Sequence, residues 1–295
     1  MPVPRYFATP SCGSHFSGFE FVVPTSVGVY SSASRRDYKL VGCSVMDPNS
    51  NYRERKRHGD TVAIDGGYHY RALTEGPAVQ RYWHALKLRY IECFCLPEPA
   101  DVVVDIGCGS GVIADFLAQH ASHVTGIDAN ERAIEFARNT FTRPNLVWLN
   151  RPAEEIEFDR GSVDKVYCME LIEHIREDQA DKLLLTCHRM LRPSGRLFLT
   201  TPNYRGLWPV VEFTMDKLRL APQMAGEQHV AHYSRKRLKQ TLEKAGFIVR
   251  TLRSFSTFAP FFAFWPSVAK RLDTFELRHD LPFGNILLAV AEKQA

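Results

Sequence analysis

Three side chains that could do chemistry are crowded into the stretch CMELIEHI, residues 168–175, which follows an apolar run. Glu170, Glu173 and His174 stand at positions i, i+3 and i+4, which share one face if the stretch is helical. Two carboxylates and an imidazole on one face can bind a divalent metal ion, move a proton, or lie in solvent. Which of these applies depends on the elements that position them.

A second candidate site lies upstream, in the sequence VVVDIGCGSGVIA. Its glycines, Gly107, Gly109 and Gly111, separate an apolar strand from a helical pattern. Glycine permits the tight turn and lets a ligand lie on bare backbone, and the start of the helix favours an anionic group. The spacing D-x-G-x-G-x-G differs from the dinucleotide fingerprint G-x-G-x-x-G. With Asp128 at the end of the next strand, it predicts a nucleoside with a carboxylate tail; the alternative is a glycine turn without a ligand.

The surrounding residues alternate between strand and helix patterns. Strands are predicted at 101–106, 123–128, 145–149, 163–169 and 195–201, and helices at 112–121, 131–141 and 178–191. Apolar strands separated by helices indicate a parallel sheet covered on both faces. Ordered structure is expected to begin near Pro77 with an amphipathic helix at 78–96. Later elements are a short helix near 210–220, a helix at 234–247 capped by Ser234 and ended by Gly246, and strands near 247–252 and 285–291.

Over about residues 78–292 the chain resembles the class I S-adenosylmethionine-dependent methyltransferases. The resemblance is carried by DIGCGSG, GIDANERAIEFAR, DKVYCMELIEHI, RMLRPSGRLFLTTPN and LEKAGF. It implies an α/β fold with a doubly wound, seven-stranded Rossmann-like sheet whose last strand is reversed, and S-adenosyl-L-methionine as cofactor. The cofactor-binding residues that it implies are Asp105, Gly107, Gly109, Gly111, Asp128, Ala129, Ala153, Glu154 and Met169. Pro152 replaces an acid that contacts adenine in many members, so that contact passes to the Ala153 backbone or Glu154.

The stretch CMELIEHI also resembles its counterparts in 3-demethylubiquinol-type O-methyltransferases and in small-RNA 2′-O-methyltransferases, which associate it with a divalent ion. This resemblance implies metal ligands at Glu170, Glu173, His174 and His229. Mg²⁺ is the expected ion, and two imidazoles would also suit Mn²⁺ or Zn²⁺. His229 is preferred to His232 because it lies four residues before Tyr233. Two alternatives stay open: His174 or His229 as a metal-free catalytic base, and a structural or substrate-positioning role.

Aromatic residues dominate the segments that the resemblance assigns to a substrate lid, at 78–96, 202–233 and 255–282. The last contains FSTFAPFFAFWPSVAKRL, in which six aromatic residues precede Lys270 and Arg271. An apolar lid beside cations suits a lipophilic small-molecule acceptor and peripheral contact with a membrane, although packing within the lid is the plainer explanation. The predicted reaction is methyl transfer to a hydroxyl of a phenol or catechol, such as a quinone precursor.

Composition bears on the remaining alternatives. The 295 residues have a formal net charge of +4, and the one dense basic piece, YRERKR at 52–57, lies outside the catalytic core. Both observations argue against nucleic acid as a partner, and so against an RNA 2′-O-methyltransferase. The intact glycine loop argues against a catalytically inert partner subunit. Seven cysteines without CxxC pairs favour a reducing, cytoplasmic compartment.

The first part of the chain has no sustained helical period. Residues 1–60 are therefore predicted to be a poorly ordered N-terminal extension, and residues 61–295 the methyltransferase domain. A transit peptide and a start at Met46 are alternatives. No apolar run of about 18 residues and no secretory signal pattern is present. The oligomeric state is left open.

Overall fold

The computed structural model describes residues 65–217 and 229–294. The predicted extension at 1–60 and residues 218–228 of the predicted lid lie outside them. The helices are α1 (Tyr68–Thr74), α2 (Ala78–Phe94), α3 (Val112–Leu117), α4 (Glu131–Thr140), α5 (Glu177–Met190), α6 (Trp208–Lys217), α7 (Arg235–Lys244) and α8 (Pro266–Arg278). The strands are β1 (Val102–Ile106), β2 (His123–Asp128), β3 (Leu146–Asn150), β4 (Val163–Met169), β5 (Leu191–Pro202), β6 (Phe247–Phe255) and β7 (Ile286–Lys293).

The seven strands form one sheet in the order β3-β2-β1-β4-β5-β7-β6. Strands β1 to β5 pair in parallel, and β7 runs antiparallel to both β5 and β6. The predicted α/β class, the strand number and the reversed last strand are confirmed. The chain leaves β1 toward β2 on one side and returns to β4 on the other. A ligand crevice is expected where the strand order reverses, at the carboxyl ends of β1 and β4.

The apolar sequence patterns of the strands reflect their burial in the core. Every residue of β4 is buried, and the core extends from β1 and β4 to helices α5 and α7, with Leu183 and Leu238 fully inaccessible. The predicted caps of α7 are also confirmed. The Ser234 hydroxyl accepts the N–H of Arg237 at 3.3 Å, and Gly246 has a φ of 92°.

Several elements differ from the prediction, and α3 ends at Leu117, four residues before the predicted end at 121. Helix α1 begins at Tyr68, before the expected start of structure near Pro77, because a helix of two turns is too short to show a hydrophobic period. Strand β5 begins at Leu191, before the predicted start at residue 195, because the segment RPSG continues the strand as an irregularity. Helix α8 was not predicted, because its buried face is formed by Ala269, Asp273 and Glu276 and so lacks an apolar stripe.

Within the described ranges, no helix is both long enough and apolar enough to span a membrane.

Candidate active site

The glycine loop turns from β1 into α3 through three left-handed positions. Gly107, Gly109 and Gly111 have φ values of 75°, 49° and 84°. A Cβ atom at Gly109 would lie 2.5 Å from Nδ1 of His69, and one at Gly111 would lie 2.5 Å from the ring of Trp148. Side chains are therefore excluded both by the backbone and by the close approach of α1 and β3.

Two acids flank this loop at the carboxyl ends of β1 and β2. Asp128 accepts the N–H groups of Gly109 and Asn130, each at 2.8 Å. Asp105 is buried, and its Oδ2 has no hydrogen-bond partner within residues 65–217 and 229–294. Burial and the nearby Asp128 raise the pKa of Asp105 to about 8. A buried oxygen without a partner is costly unless a ligand completes it.

The other predicted cofactor residues follow the adjacent strands. The Asn150 side-chain amide donates to the carbonyls of Asp128 and Ala129, each at 3.0 Å, and so ties the end of β3 to the end of β2. Ala153 lies in a 3-10 turn directly after β3, and Met169 is the last residue of β4. The side chain of Glu154 lies outside the described structure. Ala129, Ala153 and Met169 thus all lie at the same edge of the sheet as the glycine loop.

The stretch CMELIEHI is not one helical face. Met169 still belongs to β4, Glu170 has a φ of 52°, and only Ile172–His174 forms a short 3-10 turn. The helical premise is therefore wrong, because the strand continues to Met169 and the Glu170 N–H donates to the Thr200 carbonyl at 2.9 Å. The left-handed turn sends the Glu170 carboxylate to Lys87 on α2, with 2.6 Å between Oε2 and Nζ.

Glu173 is the buried centre of the candidate site. Its Oε2 accepts the Thr201 hydroxyl at 3.0 Å, while its Oε1 has no hydrogen-bond partner in the part of the chain that the structure covers. Burial, and then the charge of Glu170, raise the pKa of Glu173 to about 8. Its carbonyl accepts the N–H groups of Val230 and Ala231 at 2.8 and 3.0 Å, which brings the distant His229 segment to this edge.

Two imidazoles complete a three-residue group with Glu173. The ring centroids of His174 and His229 are 4.9 Å apart. One potential ligand atom from each of Glu173, His174 and His229 lies within 4.8 Å of the other two. Three of the four predicted metal ligands are therefore brought together, and the fourth, Glu170, pairs with Lys87. This group could hold a divalent ion or act directly on a proton.

Aromatic side chains surround His229. The Tyr204 hydroxyl lies 2.7 Å from Nδ1 of His229, and the Tyr204 ring stacks on His232 with centroids 3.9 Å apart. Trp208 lies 6.0 Å from the His229 ring and 5.7 Å from Trp83 on α2. Sequence reasoning assigned no role to Tyr204 or Trp208, although both stand in the aromatic segment after β5 that it recognised as a lid.

Helices α1 and α2 cover the glycine loop with a second group that the sequence did not reveal. His69 faces Gly109, its ring lies 5.7 Å from that of His84, and the Gln80 amide donates to the Tyr68 hydroxyl at 3.0 Å. Burial, and then the positive charge of Lys87, lower the pKa of His69 to about 4, so this ring is neutral at pH 7. No signal in the sequence could have placed His69 here, because α1 precedes the recognisable pattern.

Comparison with known proteins agrees with this geometry. A family model described as a methyltransferase domain matches residues 103–195. The ubiquinone biosynthesis O-methyltransferase of Coxiella burnetii is 36% identical over 121 residues, which are 40% of this chain and 50% of that protein. A structure of an S-adenosylmethionine-dependent methyltransferase from Mesorhizobium loti superposes with a TM-score of 0.52. Residues 103–195 of this chain are therefore similar to a methyltransferase domain.

The extent of these matches limits what they transfer. The Mesorhizobium structure is 19% identical and covers 74% of this chain and 99% of its own chain, so it shows the shared fold. A chain in a complex of the Haloferax volcanii Trm112 methyltransferase activator with a methyltransferase gives a TM-score of 0.55 at 21% identity, covering 79% of this chain and 98% of its own. This chain spans about half the length of the curated relatives that it matches.

The residues of this chain fit both the cofactor and the divalent ion that the resemblance implies. The bare backbone of the glycine loop, the half-buried carboxylate of Asp128 and the Asp105 Oδ2, which lacks a partner among the described residues, suit a nucleoside cofactor with a charged tail. The unpartnered Glu173 Oε1, 4.0 Å from His174 Nε2, suits a divalent ion that takes oxygen and nitrogen ligands.

Proposed function

We propose that this protein transfers a methyl group from S-adenosylmethionine to a hydroxyl of a small aromatic molecule, with a phenol or catechol such as a quinone precursor as the acceptor. The observation that carries this proposal is the group formed by the buried Glu173 and the half-buried His174 and His229 beside the glycine loop. A hydroxyl is a poor nucleophile until its proton is removed or shielded, and this group contains the residue types that do so. The name of the Coxiella relative supports the choice of an oxygen acceptor.

Cofactor binding is assigned to the loop and strand ends. Gly107, Gly109 and Gly111 would accommodate the methionine portion. The methionine portion would also give a hydrogen-bond partner to Asp105 Oδ2, which has none among the described residues. Asp128 would accept hydrogen bonds from the ribose hydroxyls. Ala129, the Ala153 backbone, Glu154 and Met169 would line the adenine side. S-adenosylmethionine supplies an electrophilic methyl group, so the protein's main tasks are to position the acceptor and to take its proton.

The proton is assigned to His174 or His229. The acceptor oxygen gains the methyl group and loses its proton to one of these imidazoles. The Tyr204 hydroxyl, 2.7 Å from Nδ1 of His229, holds that ring in place. A Mg²⁺ ion at Glu173, His174 and His229 would instead supply Lewis acidity that lowers the pKa of the acceptor hydroxyl. Both versions use the same three side chains, and chelation separates them.

The acceptor class is inferred from the walls around His229. Trp208 and Trp83 lie on facing helices, and the Trp208 indole N–H has no hydrogen-bond partner among the residues with a described position. Two aromatic faces and a free indole donor suit a planar acceptor with an oxygen substituent. A prenyl tail on such an acceptor would make it lipophilic, in keeping with the apolar lid.

The decisive experiment is a methyl-transfer screen with labelled S-adenosylmethionine. Phenol, catechol, prenylated catechol and short RNA are offered as acceptors, each with chelator and with added Mg²⁺, Mn²⁺ or Zn²⁺. We expect the catechols to be methylated and the RNA to remain unlabelled. Loss of activity in chelator with recovery in Mg²⁺ would assign the metal version, and full activity in chelator the metal-free base.

Histidine variants provide the matched control. His229→Ala should lower turnover by about 100-fold or more, because a positioned acid or base contributes roughly that much. His232→Ala changes the same residue type three positions away, outside the three-residue group, and should stay within a few-fold of the parent. Binding of S-adenosylmethionine is measured in parallel by calorimetry. The proposal fails if RNA alone is methylated, or if the cofactor binds and no acceptor is methylated, as an inert partner subunit would behave.

A further inference from the structure

Helix α8 has acidic residues on its buried face and apolar residues on its solvent face, the reverse of an ordinary surface helix. Its buried side carries Asp273 and Glu276, with relative exposures of 0% and 1%. Its solvent side carries Val268, Arg271 and Phe275 at helical spacing, and Phe275 is 50% exposed. Exposed apolar residues on a helix whose acids are buried indicate that the solvent face of this helix binds a partner.

The segment before α8 extends this surface. The 3-10 turn Ala259–Phe262 packs against α8, and aromatic residues on and around it are exposed. Phe264 and Trp265 are 67% and 62% exposed, and the Trp265 ring lies 6.4 Å from that of Phe262. We define the aromatic surface as the exposed side chains Phe258, Phe261, Phe262, Phe264, Trp265, Val268 and Phe275.

The inward carboxylates hold this surface in place. Glu276 accepts the N–H groups of Thr257, Phe258 and Ala259 at 2.8, 2.8 and 3.1 Å, so it fixes the backbone at the start of the turn. Asp273 forms an ion pair with Arg89 of α2. These contacts anchor the segment, so the aromatic side chains are displayed from a structured element.

The same contacts remove negative charge from the outer side. Asp273 and Glu276 are the only acidic residues between positions 257 and 279. Arg271 and Arg278 are exposed on α8, and the next acid along the chain, Asp280, is bonded to Arg235. The aromatic surface therefore combines large apolar side chains with cations and lacks an exposed carboxylate over residues 257–279. This charge pattern is complementary to an anionic surface.

We propose that the aromatic surface docks on an anionic lipid bilayer. Phe264, Trp265 and their neighbours would enter the interfacial layer, where aromatic rings are favoured, while Arg271 and Arg278 would lie among the anionic headgroups. Cations close to such a membrane strengthen its attraction for the protein. A protein partner would offer less reason for an apolar surface bordered by cations alone.

The segment that carries the aromatic surface and the lid over the candidate site both contact helix α2. Helix α2 joins the two, because Arg89 pairs with Asp273 and the Tyr90 hydroxyl lies 3.1 Å from the Ser256 hydroxyl, while Lys87 and Trp83 of the same helix reach Glu170 and Trp208. A lipophilic acceptor could then pass from the bilayer to the site without crossing water. This last step rests on the proposed function; the docking itself does not.

Vesicle cosedimentation of the full chain tests the docking. We expect the protein to bind phosphatidylcholine vesicles that contain phosphatidylglycerol, to bind pure phosphatidylcholine at least about tenfold more weakly, and to dissociate as salt rises. The double variant Phe264→Ser/Trp265→Ser and the charge-reversed Arg271→Glu/Arg278→Glu should each lose at least about tenfold in partitioning. Leu185→Ser, which alters a 56% exposed apolar residue on α5, is the matched control and should bind as the parent does.

Two further measurements complete the test. Circular dichroism and thermal unfolding should show that each variant is folded. Binding of S-adenosylmethionine by Phe264→Ser/Trp265→Ser should equal that of the parent, so a damaged cofactor site and a failure of docking can be told apart. Absence of binding to anionic vesicles at low salt, or equal binding by this variant, would overturn the proposal. The proposal would also be overturned if sedimentation velocity showed that the parent is a dimer and that the same variant is a monomer, because a second copy would then cover the surface.

Discussion

The two ends of the parallel strands treat buried charge in opposite ways. At the amino ends, Asp101 is paired with Lys165 and accepts the N–H of Glu98 at 2.7 Å. Asp164 is paired with Arg192 and accepts the N–H of Val102 at 2.6 Å. Each buried acid at this end therefore has both a cation and a backbone donor, which is the arrangement that a charge needs to be tolerated in a protein interior.

The carboxyl ends leave comparable groups incomplete. Asp105 and Glu173 each have one oxygen without a hydrogen-bond partner within the described ranges, and the same is true of the Thr200 hydroxyl. Glu170 also adopts a left-handed backbone conformation there. Unpartnered polar atoms and strained backbone both cost folding free energy, and they persist where a ligand uses them. One end of the sheet thus stabilises the fold, and the other is prepared for binding.

Removing a cation from the amino end should give the largest effect on stability. Lys165→Met leaves Asp101 buried without its ion pair, and we expect a loss of about 3–5 kcal/mol in the free energy of unfolding. Urea denaturation measures this loss. Lys239→Met, which removes an exposed pair with Glu243, should change stability by less than about 0.5 kcal/mol. The double variant Asp101→Asn/Lys165→Met should recover part of the loss, and a near-neutral single variant would contradict the pairing.

An isosteric change at the carboxyl end should affect function and spare the fold. Glu173→Gln keeps an oxygen that can accept the Thr201 hydroxyl but removes the carboxylate from the three-residue group. We expect catechol methylation to fall by about 100-fold while the free energy of unfolding at pH 7 stays within about 1 kcal/mol. Parallel rate and urea measurements check this. Full activity would show that the carboxylate is dispensable, and a large loss of stability would show that Glu173 resembles the amino-end acids.

The difference between the two ends also separates what the sequence could predict from what it could not. The bounds of strands β2 and β4 were predicted to the residue, because the interior residues of both strands are buried. The glycine loop was recognisable because its spacing follows from local backbone geometry. These features depend on neighbours along the chain, and composition and period report such features well.

The rest depends on contacts between distant segments. The sequence could suggest His229, but only the hydrogen bonds of Val230 and Ala231 to the Glu173 carbonyl bring it to His174. The departure of Glu170 toward Lys87 follows from its left-handed backbone and from the placement of α2. Helix α8 could not be predicted from hydrophobic periodicity, because its buried face contains Asp273 and Glu276. Neither tertiary pairing nor a positive φ at a glutamate leaves a local pattern to read.

Stability at the carboxyl end should depend on pH through Asp105. Because the pKa of Asp105 is raised to about 8 in the fold, the folded state holds a proton that the unfolded state releases above its ordinary pKa. This contribution to stability is complete below about pH 4 and is lost as pH rises toward 8. Asp105→Asn removes the titration, so its loss of unfolding free energy between pH 5.5 and 8.5 should be smaller than the parent's by about 3 kcal/mol.

Urea titrations at the two pH values measure that difference. Asp164→Asn, at the amino end, is the control, because its oxygens are already paired with Arg192 and the Val102 N–H. It should destabilise the protein without producing the same flattening between pH 5.5 and 8.5. Identical pH slopes for the parent and Asp105→Asn would mean that Asp105 is ionised in the fold.

The smallest effects should come from relieving backbone strain at each end. Ser194, exposed at the start of β5, and Glu170 both have positive φ values, 61° and 52°. Ser194→Gly should stabilise the protein by about 1 kcal/mol without changing methylation, because only the unfavourable conformation is removed. Glu170→Gly gains the same relief but loses the partly buried ion pair with Lys87, so its net change in stability should be close to zero. Because that pair also holds α2 over the site, Glu170→Gly should methylate catechol several-fold more slowly. If both variants instead gain the same stability and keep the parent's rate, the left-handed conformation of Glu170 has no functional role that Ser194 lacks.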